Sequence, residues 1–303
     1  MCLTLTHILF GRHRIRDLVV VLLSLLAAVC FGMAAVLQFQ ASTVSASELN
    51  LRFSLLWKLL ANPRFGLGAV FDVVGGAAQF FALKYGSVAQ VLPILASGFV
   101  LAILLEHFLA RRPIAVGDVI ALLVSCGALI AFLVLSPQAS GHTIYVGPSI
   151  VIGAIGIAVG VATITVLRPV LAGHGRIQAM IGALLLGVVS IFEREVGIVW
   201  SDEGAVRTLE HWELWVLIVV GTLALLVVQS AFQQQSLARV LPLVTVGEPI
   251  AAIAISTAAL QTPLFAGGVR TLVSVIALVV EILALIYLAR SEVRINVKLH
   301  DQE

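Results

Sequence analysis

The chain has 303 residues, of which 60% are hydrophobic and only 11% charged, with a mean hydropathy of +1.11 and a formal net charge of +2. A soluble domain carries about 25% charged residues, so water cannot solvate most of this surface and the bilayer is the expected solvent. The 18 Lys and Arg residues are spread singly or in pairs, which speaks against nucleic-acid binding. The three cysteines show no C-x-x-C spacing, which excludes a disulfide framework or zinc site.

Residues 1–17 form an N-terminal arm carrying Arg12, Arg14 and Arg16. The apolar run that follows, from Leu18 to about Phe39, is too long for the core of a signal peptide and is read as a retained span. Further apolar runs lie near 64–84, 87–109, 114–135, 148–168, 177–196, 213–233, 240–260 and 269–289. Each approaches the roughly 20 residues that cross a hydrocarbon core as a helix. The expected fold is therefore all-α and polytopic, with about nine transmembrane helices. Pro113, Pro137, Pro148 and Pro263 fall at segment edges, whereas Pro93, Pro242 and Pro249 fall inside and mark expected bending points.

Residues 48–62 are read differently. Asn50, Ser54, Lys58 and Asn62 share one stripe and Leu49, Phe53, Leu56 and Leu60 another, which predicts an amphipathic helix lying in the interface. With nine passes the basic residues Arg52, Lys58, Arg64, Arg111, Arg112, Arg168, Arg176, Arg239, Arg290, Arg294 and Lys298 share one face. Positive charge collects inside, so the tail 290–303 is expected in the cytoplasm of a plasma-membrane protein. The N-terminal arginines contradict this layout, and a tenth pass through 41–60 would remove the contradiction.

The sequence also resembles itself. Gly86 to Pro93 aligns with Gln235 to Pro242 at an offset of 149 residues, and Gly98 aligns with Gly247, although Phe99 faces Glu248 in the same register. The expected organisation is a first membrane repeat at 18–137 and a second at 148–289, of inverted topology in the nine-pass layout. Such halves suit alternating access.

Polar residues inside the spans are the candidate site. Asp72 lies near the bilayer midplane, with Gln79 seven residues on and on the same helical face. Glu248 is similarly deep and precedes Pro249, which leaves the Thr245 carbonyl without its usual helical partner. Gln38, Gln90 and Gln229 complete the expected solute- or proton-binding set, because amides both donate and accept. Gln40, Gln233, Gln234 and Gln235 sit at expected helix ends, where headgroups solvate amides. Glu281 is deep, with Arg270 as a conceivable partner, while Glu106 and Asp118 lie near helix ends. Gly153, Gly156, Gly160, Gly182 and Gly187 read as close-packing positions. Six acids between Glu193 and Glu213 read as a solvated outer loop.

No hydrolase, zincin or phosphate-loop motif is present, so neither enzymatic activity nor a cofactor is expected. The two-half arrangement in about 300 residues resembles the drug/metabolite transporter (EamA-like) superfamily. More specifically, Gly32-Met33-Ala34-Ala35-Val36-Leu37-Gln38, Gln79, Val91-Leu92-Pro93 leading to Leu105-Glu106, and Ser125-Cys126-Gly127 through Ser136-Pro137 are similar to the first half of NIPA-type magnesium transporters and their bacterial relatives. The likeness covers roughly residues 30–137. It implies nine or ten helices and solute transport.

The resulting expectation is a secondary transporter of a small metabolite or drug-like solute, acting in the lipid bilayer and compatible with a homodimer. A magnesium carrier is the alternative, for which Asp72, Glu106 and Glu248 would supply oxygens; otherwise no metal site is expected. A non-transporting scaffold whose polar residues only join helices is a third reading.

Overall fold

The computed structural model describes residues 2–44, 49–85, 88–109, 116–135, 146–260, 268–277, 279–280, 283–284 and 287. Among these residues all regular structure is helical, as hydrocarbon demands of a chain that must satisfy its own backbone groups. In order the helices are α1 (Cys2–Thr43), α2 (Phe53–Leu60), α3 (Pro63–Tyr85), α4 (Val88–Leu109), α5 (Val116–Leu135), α6 (Val146–Thr165), α7 (Arg168–Leu171), α8 (Gly175–Glu203), α9 (Ala205–Thr208), α10 (Trp212–Phe232) and α11 (Leu237–Leu260), followed by α12 (Gly268–Ala277).

Among the described residues six segments are long and apolar enough to cross a bilayer: Leu18–Thr43, Pro63–Ala82, Val146–Thr165, Gly175–Glu203, Trp212–Phe232 and Leu237–Ser256. The protein is thus an all-α multi-pass membrane protein. α4 and α5 coincide with two further expected runs, and α12 overlaps the first part of a third. Large apolar side chains such as Leu67, Val70, Val73, Phe80, Ile150 and Ile155 are exposed along these helices, a surface that suits lipid and not water.

The chain forms two compact units that do not follow its halves. The first contains Met1–Gln38, Pro63–Leu135 and Thr271–Glu303; the second contains Phe39–Asn62 and Ser136–Arg270. The connection after α1 therefore belongs with the later helices, as does α6.

In the first unit α1 runs antiparallel to α3 and parallel to α4. A Cβ on Gly68 would lie 3.0 Å from Gln38 Cγ, and one on Gly75 3.0 Å from the Phe31 ring. A Cβ on Gly98 would meet the Ala28 carbonyl oxygen at 2.7 Å, and one on Gly32 would meet the Gly98 carbonyl at 3.0 Å and the Ala102 nitrogen at 3.5 Å. Backbones approach this closely only where side chains are missing.

The second unit has the same kind of frame. α8 runs antiparallel to α10, with Gly175 against Gln234 and Gln235 and Gly182 against Val228, and parallel to α11, with Gly247 against Ala183 and Gly187 against Ala251. Gly153, Gly156 and Gly160 of α6 meet Phe192, Val188 and Leu223, so the expected close-packing glycines do pack closely. Phe192, Leu185, Val188, Val220, Leu223 and Val227 form the apolar core between these helices.

The connection 39–62 is anchored in this unit. The Phe39 ring meets Phe232 edge-on at 5.6 Å. Leu51, Leu55 and Leu59 are buried to within 1% of complete enclosure, whereas Phe53 and Leu60 are exposed. The stripe buried against the protein is 51/55/59, while Phe53 and Leu60 of the expected apolar stripe face outward. Eight residues of α2 span about 12 Å, far short of a bilayer.

Candidate functional site

α3 places Asp72 near its centre, where the Gln38 amide Nε2 donates to the Asp72 carboxylate. The expected end of the first helix at Phe39 is too early. α1 continues to Thr43, so Gln38 lies within a helix and reaches inward. Gln79 is partly buried one face-turn further along α3, and among the described residues no hydrogen bond joins it to Asp72. The carboxylate's amide partner comes from a neighbouring helix, which the spacing along α3 did not reveal.

In the second unit, Glu248 sits midway along α11 and accepts a 2.6 Å hydrogen bond from Ser190 Oγ of α8. Glu193, one turn beyond Ser190, lies near enough to feel the Glu248 charge. Both intramembrane acids are therefore held by uncharged polar groups. Such a partner satisfies a carboxyl oxygen without cancelling its charge, leaving the acid free to exchange a proton or meet a polar solute.

Gln229 is enclosed near the end of α10, where Ser42 Oγ donates to its Oε1 at 2.5 Å. It belongs to a larger polar cluster around Asn50. Asn50 Nδ2 donates to the Ser230 carbonyl at 2.8 Å and to Gln233 Oε1 at 3.2 Å, while Asn50 Oδ1 accepts from Gln178 Nε2 at 2.9 Å. The Asn50 carbonyl accepts from Arg168 Nε at 3.2 Å, and the Leu51 amide donates to Ser230 Oγ at 2.9 Å. This arrangement gives Gln229 a structural setting, tying the 39–62 connection to α7, α8 and α10. Gln235 Oε1 likewise accepts from Arg239 Nη1 at 3.1 Å.

α4 runs unbroken through Pro93, and α11 through Pro242 and Pro249. Thr245 Oγ1 bonds back to the Leu241 carbonyl at 2.9 Å, within the stretch that the two α11 prolines bracket. The side chains of Gln90, Pro93, Asp118 and Pro249 lie outside the described set, as does Glu281. Glu106 is partly buried on α4 and Arg270 is exposed on α12. Among the described residues no group of three or more His, Cys, Asp or Glu side chains is arranged to hold a metal ion.

One expectation is overturned in detail. The acids from Glu193 to Glu213 do not all belong to a solvated loop, because α8 extends to Glu203 and Glu195 is 1% exposed, while Glu213 at the start of α10 is 4% exposed. Ser149 Oγ of α6 donates to Glu195 Oε1. Charge density misled here, since it cannot tell a wet face from one covered by another helix. No family model, curated protein or solved structure matches the chain.

Proposed function

We propose that the chain is a secondary transporter of a small polar solute, with α1, α3 and α4 repeated as α8, α10 and α11 in inverted topology. The observation that carries this reading is the matched helix crossing. Gly98 and Gly247 stand 149 positions apart, and so do Ala102 and Ala251. Their partners are Ala28-x-x-x-Gly32 on α1 and Ala183-x-x-x-Gly187 on α8, equally spaced and in equivalent contacts. α3 and α10 also begin 149 positions apart, at Pro63 and Trp212.

With α4 and α5 crossing the bilayer, α1 is the first span and α8 the sixth, so the two frames point in opposite directions. Inverted repeats of this kind support alternating access. In each unit a mid-span acid keeps a neutral hydrogen-bond partner, Gln38 for Asp72 and Ser190 for Glu248. On this reading those acids bind the solute or its coupling proton, Gln79 and Gln90 supply amides, and Pro93, Pro242 and Pro249 are bending points. The resemblance to the drug/metabolite transporter superfamily agrees with this assignment. The basic loops favour a plasma-membrane protein with a cytoplasmic C-terminus.

Thiol accessibility tests the reading without knowledge of the solute. In a background with Cys2, Cys30 and Cys126 replaced by alanine, D72C and E248C are each reconstituted in vesicles and exposed to a membrane-impermeant maleimide from one side at a time. Alternating access requires each thiol to react from both sides. Thiols that react from neither side would remove the water-filled pathway and with it the transporter reading.

A further inference from the structure

We infer that Glu195 and Glu213 form a proton-binding site, in which one proton is held between the two carboxyl groups and exchanges with water through His211. The site lies at one end of the second unit and stands whether or not the chain moves a solute.

Glu195 is 1% exposed and Glu213 4% exposed. Ser149 Oγ occupies Glu195 Oε1, but Glu195 Oε2 and Glu213 Oε2 are enclosed with no hydrogen-bond donor. α8 and α10 meet beside the pair, where the Phe192 and Trp212 rings lie 5.9 Å apart, and the two side chains are near enough for their charges to oppose each other. Ionised carboxylates only accept, so two ionised groups would leave Glu195 Oε2 with no donor and Glu213 Oε2 with only the His211 nitrogen at 3.4 Å, while repelling each other. One proton removes one charge and supplies the missing donor to the other carboxylate.

The surrounding charges leave this balance in place. α6 brings no charged residue, α10 only Glu213, and α9 only Arg207, which is exposed. α8 brings Arg194, whose charge attracts Glu195, together with Arg176, Glu193, Asp202 and Glu203. Arg194 is one positive charge against the two carboxyl groups, and a proton on the pair supplies the second. A hard metal ion would need several more oxygen ligands, and the described residues offer no such group.

His211 joins the pair to water. Its Nδ1 lies 3.4 Å from Glu213 Oε2 and its Nε2 3.4 Å from Glu203 Oε1, with the His211 and Glu203 side chains 31% and 41% exposed. At these distances neither nitrogen makes a tight bond, yet each ring nitrogen faces one carboxylate. A proton taken from water at Nε2 yields the imidazolium, whose Nδ1 proton then passes to Glu213 Oε2, leaving a neutral ring protonated at Nε2.

Infrared spectroscopy of the full chain in lipid tests this as a difference between variants, in a D72N E248Q background that removes the acids of the candidate site. At neutral pH the carbonyl stretch of a protonated carboxyl is expected, and E195Q E213Q is expected to remove one carboxyl's worth of its intensity. Intensity unchanged by the double substitution overturns the site. If that variant does not fold, S149A decides, because it removes the hydroxyl that donates to Glu195 and keeps both acids. The band must then shift in frequency, and an unmoved band overturns the assignment. H211N is expected to leave the band's intensity in place but slow its response to a pH jump at least tenfold. An unchanged rate would remove His211 as the route.

Discussion

Substituting alanine for Gly98 or Gly187 adds one methyl group at each of the two matched helix crossings. At Gly98 the new Cβ would lie 2.7 Å from the Ala28 carbonyl oxygen, and at Gly187 2.6 Å from Ala251 Cβ and 2.8 Å from the Ala252 nitrogen, where ordinary contact begins at 3.4 Å. Backbone atoms cannot rotate aside. α1 and α4, or α8 and α11, must therefore separate by about 0.6 to 0.8 Å, in interiors packed as densely as organic crystals. Helix association within a bilayer rests largely on close van der Waals contact, so the shift weakens neighbouring contacts as well. Overpacking of this kind costs about 1 to 3 kcal/mol, a roughly five- to hundredfold drop in the folded-to-unfolded ratio.

Gly76 and Gly127 are the controls, since a Cβ on either meets nothing within 4 Å. Alanine there should be neutral or stabilising by up to about 1 kcal/mol, because it improves helix propensity without a clash. Equilibrium unfolding in mixed micelles, read by circular dichroism, provides the comparison. G187A should regain part of its loss when combined with A251G, which removes one of the two obstructing atoms. The reasoning is refuted if G98A and G187A fall within about 0.5 kcal/mol of the G76A and G127A controls.

Two further predictions concern the 39–62 connection. N50A withdraws the donor to the Ser230 carbonyl and leaves the enclosed Gln178 amide without its Asn50 acceptor, so it should destabilise the protein by about 1 to 3 kcal/mol in the same unfolding assay and speed proteolysis between residues 44 and 62. Leu51 adopts the left-handed conformation at φ 54° while its side chain is 1% exposed. L51G should relieve about 1 to 2 kcal/mol of backbone strain but leave a cavity costing about 2 to 5 kcal/mol. The variant should therefore be less stable than wild type, and one that melts higher would show that strain outweighs packing.

The expected runs at 64–84, 87–109 and 213–233 nearly coincide with α3, α4 and α10. Hydrocarbon thickness fixes their length, and charges, Pro and Gly punctuate them, all of which is local information. α1 and α8 run past their expected ends at Phe39 and 196, and the reason is tertiary. Ser42 is polar but finds Gln229, and Glu195 is acidic but finds Ser149. A sequence read alone prices such residues as if they faced lipid or water. The same limit hid Ser190 and Gln38 as the partners of Glu248 and Asp72, because a hydrogen bond between helices leaves no spacing to read. It also hid the 51/55/59 stripe, since an amphipathic pattern does not say which of its apolar residues meet protein and which meet membrane.

On the proposed repeat, frame and chemistry part company within one residue. Gly98 and Gly247 must both lack a side chain because each lies where two backbones cross, and that demand is the same in both units. Their neighbours Phe99 and Glu248 are under no such demand, and only the second frame carries an acid there. The first frame places its acid on α3 instead, as Asp72, at a position whose counterpart in α10 is Gly221. A shared frame with acids on different helices gives the two carboxyl groups different neighbours, an amide for one and a hydroxyl beside a second acid for the other. On the transport reading they cannot be interchangeable copies of one site. On that reading Glu248, with Glu193 nearby, is the one to gain and lose a proton, while Asp72, paired with an amide that both donates and accepts, is the one to recognise a polar solute.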